Sequence, residues 1–283
     1  MIRRSFHASV SMSKKGTSSM EWLKRQHNDP YVHKCQADGY RARSAYKLIE
    51  MNEKYNSKLL VGPGAVVMEC GAAPGAWTQV VAEAVNAGGN YNNQKKLPSG
   101  NYVAKMHYLF TDCIMVYGGG QCGFQRSTNV SPTYYNLGMV VGCDLLNIEP
   151  VPGAILLSQC DFTLKESQQR ILGVLGAQER PKFDVVLSDM APNASGQKQI
   201  DQDRILLLSY SALRFALLNS HKGSNFVTKV WAGPRVDNLV RDLKTFYSKV
   251  ERVKPQASRK ESGELYLVAQ DFIGIEQKTT PDL

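Results

Sequence analysis

The sequence has few charged residues and lacks the patterns that define several common protein classes. Only 21% of its 283 residues are charged and 43% are hydrophobic, which excludes a disordered chain or a coiled-coil rod. Its six cysteines form no CxxC pair and its histidines show no metal-ligand spacing, so we expect no metal site. Cys70, Cys143 and Cys160 end apolar runs and are expected to be reduced and buried. No apolar run reaches the ~18–20 residues of a membrane-spanning helix, so we expect no membrane span.

Acidic residues are scarce in two segments near opposite ends of the chain. Residues 1–48 hold ten Lys/Arg against three acids, and residues 235–260 hold eight against three, giving net charges of +7 and +5. The rest of the chain sums to −3, which completes the overall net charge of +9. Such concentrated basic residues indicate a polyanionic partner, either nucleic acid or an anionic membrane surface. If folding brings the two segments together, they form one basic face.

The first residues contain no acid before Glu21. They carry four Arg/Lys and six serines instead, which is the composition of an organelle transit peptide. We therefore predict a transit peptide over residues 1–20, followed by a single domain over residues 21–283. A basic arm on a cytosolic protein is the alternative.

From residue 64 onward, short apolar runs alternate with helical patterns. The predicted strands are Ala65–Cys70, Met139–Cys143, Ala154–Leu157, Phe183–Leu187, Asn225–Val230 and Leu265–Ala269. The predicted helices are Thr78–Val85, Ser167–Leu175, Gln202–Leu218 and Val236–Val250, and the third is apolar nearly all round, hence expected to be buried. This order predicts an α/β fold with a mostly parallel sheet and helices on both faces. Residues 88–136, rich in Gly, Asn, Ser and Tyr, interrupt the order and are expected to be an inserted loop.

Ligands of such sheets bind beyond the carboxyl ends of the strands, so the residues that follow each strand are candidate site residues. The segment Gly71–Trp77 (GAAPGAW) follows the first strand and opens a helix. Its small residues let a ligand approach the backbone, and the start of the helix supplies free N–H donors. Because GxGxxG is absent, a nucleoside cofactor without a pyrophosphate fits better than a dinucleotide. A tight turn without a ligand is the alternative.

Carboxylates follow the next three strands. Asp144 is placed to accept hydrogen bonds from ribose hydroxyls, and Asp161 to accept one from an adenine amino group, although either could instead cap a helix. Asp189 ends the fourth strand, and Lys229 lies within the apolar fifth. A lysine inside an apolar strand is costly unless it is paired or used. If the fourth and fifth strands are adjacent, they bring Asp189 and Lys229 together. A structural buried ion pair is the alternative.

Five segments together resemble the FtsJ-type ribose 2′-O-methyltransferases, over Tyr40 to Ala269 apart from the insertion. They are Tyr40–Leu48 (YRARSAYKL), Gly71–Trp77, Ser188–Gly196 (SDMAPNASG), Lys229 in its strand, and Ser258–Tyr266 (SRKESGELY). The resemblance implies a Rossmann-like class I methyltransferase fold that uses S-adenosylmethionine.

The resemblance also implies the site residues. A Lys-Asp-Lys-Glu catalytic tetrad falls on Lys47, Asp189, Lys229 and Glu264, with Lys229 as the base. The implied cofactor contacts are Pro74, Gly75, Ala76, Trp77, Asp144, Asp161, Phe162 and Asp189. Two positions depart from the family pattern: Glu69 stands where an aspartate is commoner, which keeps the charge, and Ala76 replaces a second glycine.

The leader, the insertion and the full tetrad resemble the mitochondrial branch of this family. That branch implies methylation of a uridine ribose in the peptidyl-transferase region of large-subunit rRNA, in the matrix, on rRNA or on an assembling ribosomal subunit. We expect a monomer that does not act on DNA, because a ribose 2′-hydroxyl exists only on RNA. The alternatives are an rRNA-binding assembly factor with secondary catalysis, or the same chemistry on tRNA or nucleolar rRNA.

Overall fold

Helices and strands alternate along the computed structural model, which describes residues 29–88, 102–104, 113–118, 121–126, 137–178, 182–193 and 195–275. The helices are α1 (Pro30–Ala37), α2 (Ala45–Lys54), α3 (Ala76–Ala84), α4 (Lys165–Ala177), α5 (Lys198–Asn219) and α6 (Val236–Lys244). The strands are β1 (Val66–Cys70), β2 (Tyr102–Ala104), β3 (Cys113–Gly118), β4 (Gln121–Arg126), β5 (Met139–Cys143), β6 (Ala154–Leu157), β7 (Phe183–Ser188), β8 (Ser220–Trp231), β9 (Tyr247–Val253) and β10 (Glu264–Phe272). The predicted transit peptide, residues 1–20, lies outside the described residues.

A seven-stranded sheet in the order β6-β5-β1-β7-β8-β10-β9 forms the centre of the fold. The pairs β5–β6, β1–β5, β1–β7 and β7–β8 are parallel, whereas β10 runs antiparallel to β8 and β9. The predicted mostly parallel α/β fold is therefore confirmed. The chain first builds outward from β1 to β5 and β6, then returns to β7 on the other side of β1. The carboxyl ends of β1 and β7 therefore mark the point where ligands bind in such sheets.

Neighbouring residues of a strand point to opposite sides of the sheet, and the apolar side chains on both sides pack against helices. Val67 packs with Leu48 and Met51 of α2 and with Val81 of α3. The other face packs against α4, α5 and α6 through Met68, Val186, Phe226, Ile171, Phe215 and Leu239. Full burial of each such side chain contributes about 1.5–3 kcal/mol. Cys70, Cys143 and Cys160 are buried free thiols within this second core, as predicted.

Two helix predictions are wrong in part. The predicted helix Val236–Val250 ends at Lys244, and its last residues belong to β9. Tyr247 pairs with Phe272 of β10 at the sheet edge, so tertiary pairing overrides the three-residue apolar spacing. Helix α5 is not buried all round: Leu207 is 69% exposed and Leu218 58% exposed, because the sheet covers only its inner face.

Part of the expected inserted loop is a small sheet. Strands β2, β3 and β4 pair antiparallel in that order, with Tyr102 opposite Tyr117 and Cys113 opposite Arg126. The residues of β3, CIMVYG, include β-branched and aromatic types that favour strands. Among the described residues, no helix is long and apolar enough to cross a membrane.

Candidate active site

The glycine turn, Gly71–Gly75, connects β1 to α3 and has no room for side chains at two positions. Gly71 and Gly75 have φ values of +82° and +102°, which L side chains rarely adopt. A Cβ at Gly71 would also lie 2.9 Å from the backbone nitrogen of Met190. The turn therefore packs its backbone directly against Met190 and Arg41, at the edge of the sheet where ligands bind.

We expect Gly71→Ala to strain this turn, because the new Cβ meets backbone rather than a flexible side chain. The expected loss is about 1–3 kcal/mol of unfolding free energy, seen as a Tm a few degrees lower. Gly173→Ala is the matched control, since Gly173 lies in α4 with nothing within 4 Å of the added Cβ. There we expect stabilisation of about 0.5–1 kcal/mol, and equal Tm values for the two variants would contradict the prediction.

Asp144 holds the loop after β5 against the glycine turn. Its Oδ2 accepts a hydrogen bond from the backbone N–H of Ala73 at 2.9 Å, and its Oδ1 accepts one from Leu146 N–H at 2.8 Å. Each carboxylate oxygen can accept a second bond, so Asp144 can still bind a ligand hydroxyl. Asp161 caps a turn, as its Oδ1 accepts from both the N–H and the hydroxyl of Thr163.

Two aromatic residues predicted as cofactor contacts have their side chains in the core. Phe162 is buried and packs edge-on against Phe215 at a centroid distance of 5.3 Å. Trp77 is buried too, and its indole N–H donates to the carbonyl of Ser44 at 2.8 Å. Both side chains support the site from behind, so a direct contact to a ligand would come from their backbone.

Glu69 lies beneath the turn and is almost completely buried. Its Oε2 accepts a hydrogen bond from the Thr78 hydroxyl at 2.7 Å. Burial, with smaller contributions from Asp189 and Asp144, raises the pKa of Glu69 to about 8. Burial therefore favours the protonated carboxyl at neutral pH, and the expectation that Glu69 keeps the charge of an aspartate stays a prediction.

Three adjacent strands place an acid, a lysine and a tyrosine in one row. Ser188 of β7 is in register with Thr228 of β8, so Asp189 comes level with Lys229, which is paired with Tyr266 of β10. Lys229 Nζ lies 3.1 Å from Asp189 Oδ1, and the Tyr266 hydroxyl donates to the same oxygen at 2.8 Å. Burial and the neighbouring carboxylates raise the pKa of Tyr266 well above its usual value, which keeps its hydroxyl a donor.

Helix α2 brings a second ion pair to the same face of the sheet. Lys47, in its first turn, places Nζ 2.6 Å from Oε1 of Glu264, two residues before Tyr266 on β10. The Ser258 hydroxyl donates to the same Oε1 at 2.9 Å. Burial alone would raise the pKa of Glu264, but the Lys47 ammonium, with smaller contributions from Lys229 and Ser258, holds it below its usual value.

The four residues of the predicted tetrad therefore converge where β7 and β8 end and the antiparallel strand β10 begins. Tyr266 and Ser258 complete the hydrogen bonding, although sequence reasoning gave neither a role. The two-residue period of a strand places Tyr266 on the same face as Glu264, so that signal was available. Nothing in the sequence pattern pointed to the Ser258 hydroxyl.

The two basic segments pack together beside this site. The Arg43 guanidinium pairs with the carboxylate of Asp29 and donates to the carbonyl of Ala257, in the segment before β10. Cys35 and Tyr46 bury Ala257 in a small apolar cluster. Folding thus joins the described part of the first basic segment to residues 249–260 of the second, whereas α6, which lies at the start of the second segment, packs on the opposite face of the sheet. Among the described residues, no group of three His, Cys, Asp or Glu could hold a metal ion.

Rossmann-like methyltransferases have a mostly parallel sheet with helices on both faces and a glycine turn where the strand order reverses, as this structure does. The model of the FtsJ-like methyltransferase family matches residues 40–106 and 110–272, so this chain belongs to that family and is a methyltransferase. The match includes the segment of β2–β4, which interrupts the α/β order.

Curated relatives match over most of the chain. A Drosophila melanogaster protein named "rRNA methyltransferase 2, mitochondrial" is 42% identical over 257 residues, 91% of this chain and 84% of that protein. A Bartonella bacilliformis protein named "Ribosomal RNA large subunit methyltransferase E" is 38% identical over 91% of this chain and 85% of its own length. A solved Plasmodium falciparum rRNA methyltransferase has a TM-score of 0.57 at 22% identity, covering 83% of this chain and all of that one, and supports the fold alone.

Proposed function

We propose that this protein transfers a methyl group from S-adenosylmethionine to the 2′-hydroxyl of a uridine ribose in mitochondrial large-subunit rRNA, in the peptidyl-transferase region. The observation that carries this proposal is the convergence of Lys229–Asp189 and Lys47–Glu264 at the sheet edge that also carries the glycine turn. The relatives' names, one mitochondrial and one specifying the large ribosomal subunit, support the choice of RNA and organelle.

The residues around the glycine turn fit the methyl donor. Within Pro74–Trp77, Ala76 and Trp77 carry N–H groups in the first turn of α3, whereas Pro74 has no N–H and the Gly75 N–H donates to the carbonyl of Ala72. Asp144 and Asp161 retain acceptor capacity for hydroxyl and amino groups. When bound, S-adenosylmethionine supplies an electrophilic methyl group on a positively charged sulfur. Glu69, buried below the turn, can balance positive charge above it by releasing its proton.

The residues on β7, β8 and β10 fit the acceptor side of the reaction. Lys229 is the proposed base, which would take the proton of the ribose hydroxyl. The donor would supply the methyl group, whose bond to sulfur would break as its bond to the ribose oxygen forms. A lysine accepts a proton only in its neutral form. Asp189 orients the Lys229 ammonium through the 3.1 Å contact, and Glu264 orients Lys47. The main contribution of the site is then positioning of two reactants.

The surface where residues 29–48 meet residues 249–260 is the proposed RNA-binding face. Phosphate contacts dominate the affinity of such surfaces and respond to salt without reading the sequence.

We expect Lys260→Ala to weaken RNA binding and to lower the slope of log K against log salt by about 1, because Lys260 is exposed on this face. Lys165→Ala is the control, since that exposed lysine begins α4 on the other side of the sheet. Fluorescence anisotropy titrations at several salt concentrations would measure both slopes, and equal slopes would contradict the prediction.

The same proposal places the protein in the mitochondrial matrix as a monomer. Residues 1–20 would be the import signal, and residues 21–283 one domain that acts on rRNA or on the assembling large subunit. Import of a fluorescent fusion, with and without residues 1–20, tests this part separately.

Mapping of ribose methylation in a deletion strain tests the activity. We expect one 2′-O-methyluridine to disappear from mitochondrial large-subunit rRNA and to return with the wild-type gene but not with Lys229→Ala. Loss of a methyl group from tRNA or nucleolar rRNA would assign the chemistry to another RNA. Normal ribosome assembly with Lys229→Ala would show that an RNA-binding assembly role is the main function.

A further inference from the structure

The Arg41 side chain connects two segments that are far apart in the sequence. It lies between α1 and α2, and its Nη1 donates to the carbonyl of Pro74 at 3.0 Å and to that of Glu149 at 2.6 Å. Its Nη2 donates to the carbonyl of Pro150 at 2.6 Å. One guanidinium therefore ties the glycine turn to the loop that follows β5.

The position of Arg41 is fixed from its backbone as well. Its N–H donates to the side-chain carbonyl of Gln79 on α3 at 2.9 Å, and the Gln79 amide donates back to the carbonyl of Gly39 at 3.0 Å. A Cβ at Gly75 would collide with Nη1 of Arg41. The absence of a side chain at Gly75 thus allows the guanidinium to lie directly against the turn.

The partners of the Arg41 guanidinium are all backbone carbonyls. Within the part of the chain that the structure describes, no carboxylate lies within ion-pair distance of Arg41. A planar guanidinium with five N–H donors can span several carbonyls at once, whereas an ammonium acts as a point charge. The contacts therefore fix where two stretches of backbone lie relative to each other.

The same two stretches are joined from the inside by Asp144, which accepts from Ala73 N–H. Both stretches would contact the methyl donor under the function proposed above, with Asp144 as the contact to its ribose. We propose that Arg41 is a positioning residue, a guanidinium latch that holds the glycine turn and the 144–150 loop at the spacing that the donor requires. This inference rests on the donor site of the proposed function.

Arg43 provides an internal comparison, because it lies two residues away and acts on the other half of the site. Its guanidinium contacts Asp29 and the Ala257 carbonyl, next to the Ser258 hydroxyl that holds Glu264. Arg41 therefore supports the donor side and Arg43 the acceptor side. Their substitutions should give different kinetic signatures.

Steady-state methyl transfer with purified protein and an rRNA fragment tests the latch. We expect Arg41→Lys to raise the KM for S-adenosylmethionine and the Kd for S-adenosylhomocysteine by about tenfold or more, which corresponds to about 1.4 kcal/mol. The kcat at saturating donor and the KM for RNA should stay within about threefold, because the positive charge is kept. Arg43→Lys should show the reverse pattern, with a lower kcat and an unchanged donor KM.

Hydrogen exchange of the protein alone separates this inference from the proposed function. We expect Arg41→Lys to speed exchange at the amides of the glycine turn and of residues 144–150, with β7 and β8 unchanged. Unchanged exchange there would overturn the latch, even if the wild-type protein proved to be an active methyltransferase. A variant that changed only the KM for RNA would also overturn it, since Arg41 would then act on the RNA. A wild-type protein without methyl transfer would refute the proposed function while exchange still decided the latch.

Discussion

Lys229→Ala is expected to reduce single-turnover methyl transfer by about 10²–10⁴-fold, the usual contribution of a general base. Donor affinity should change little, because Lys229 lies on β8 and the glycine turn follows β1, two strands away in the sheet. The wild-type rate should rise with pH on its acid side, and this dependence should disappear in the variant. Rapid-quench assays across pH, together with calorimetric donor titrations, would measure both effects.

Two further variants make this result interpretable. Lys229→Met keeps most of the buried stem and should be equally inactive, which separates lost chemistry from lost packing. Lys222→Ala, an exposed position on the same strand, should retain the wild-type rate. Transfer at the wild-type rate in Lys229→Ala would refute the assignment of the base.

Glu69→Gln is expected to change how stability depends on pH. The folded protein holds the Glu69 proton up to about pH 8, whereas an unfolded chain releases it near pH 4.5. The folded state therefore binds more protons between these values, so stability falls as pH rises through that window. A shift of this size corresponds to roughly 5 kcal/mol in total. The amide variant does not titrate, so its stability should be flatter between pH 5 and 8.

Glu251→Gln is the matched control with the opposite sign. Its Oε1 and Oε2 contact Lys249 and Lys54, and these lysines lower the pKa of Glu251 to about 2. The stability it contributes is present above pH 4.5 and is lost only as the pH falls below that value. Urea unfolding at several pH values should thus show the Glu251 effect on the acid side alone. A wild-type and a Glu69→Gln profile of equal slope between pH 5 and 8 would contradict the Glu69 prediction.

Sequence reasoning succeeded where the periodicity of a strand carries the information. The pairing of Asp189 with Lys229 was expected, because one residue ends a strand and the other interrupts the apolar pattern of its neighbour. The bounds of β1, β5, β6 and β7 followed to within one residue, whereas β8 (Ser220–Trp231) and β10 (Glu264–Phe272) extend beyond the predicted Asn225–Val230 and Leu265–Ala269. Periodicity failed at Tyr247, where a spacing of three residues fits a helix as well as a half-buried edge strand, and pairing with β10 decides the outcome.

The remaining parts of the site depend on how distant segments dock. Only the family resemblance predicted that Lys47 would reach Glu264, because no spacing in the sequence states where α2 rests on the sheet. No sequence pattern indicates the role of Arg41, because its guanidinium donates to three backbone carbonyls and every residue has such a carbonyl. Glu69 shows the limit of reading charge from composition, since burial decides its protonation.

In the row of Asp189, Lys229 and Tyr266, the hydrogen-bond ladder of the sheet positions Lys229 and Tyr266, and Asp189, the first residue after β7, is held by its N–H, which donates to the carbonyl of Cys70 at 3.0 Å. Thermal movement of the loops above would leave the distances within this row almost untouched. The loops around the site can therefore change and select a different substrate while the geometry of proton transfer is preserved, because that geometry depends mainly on the sheet.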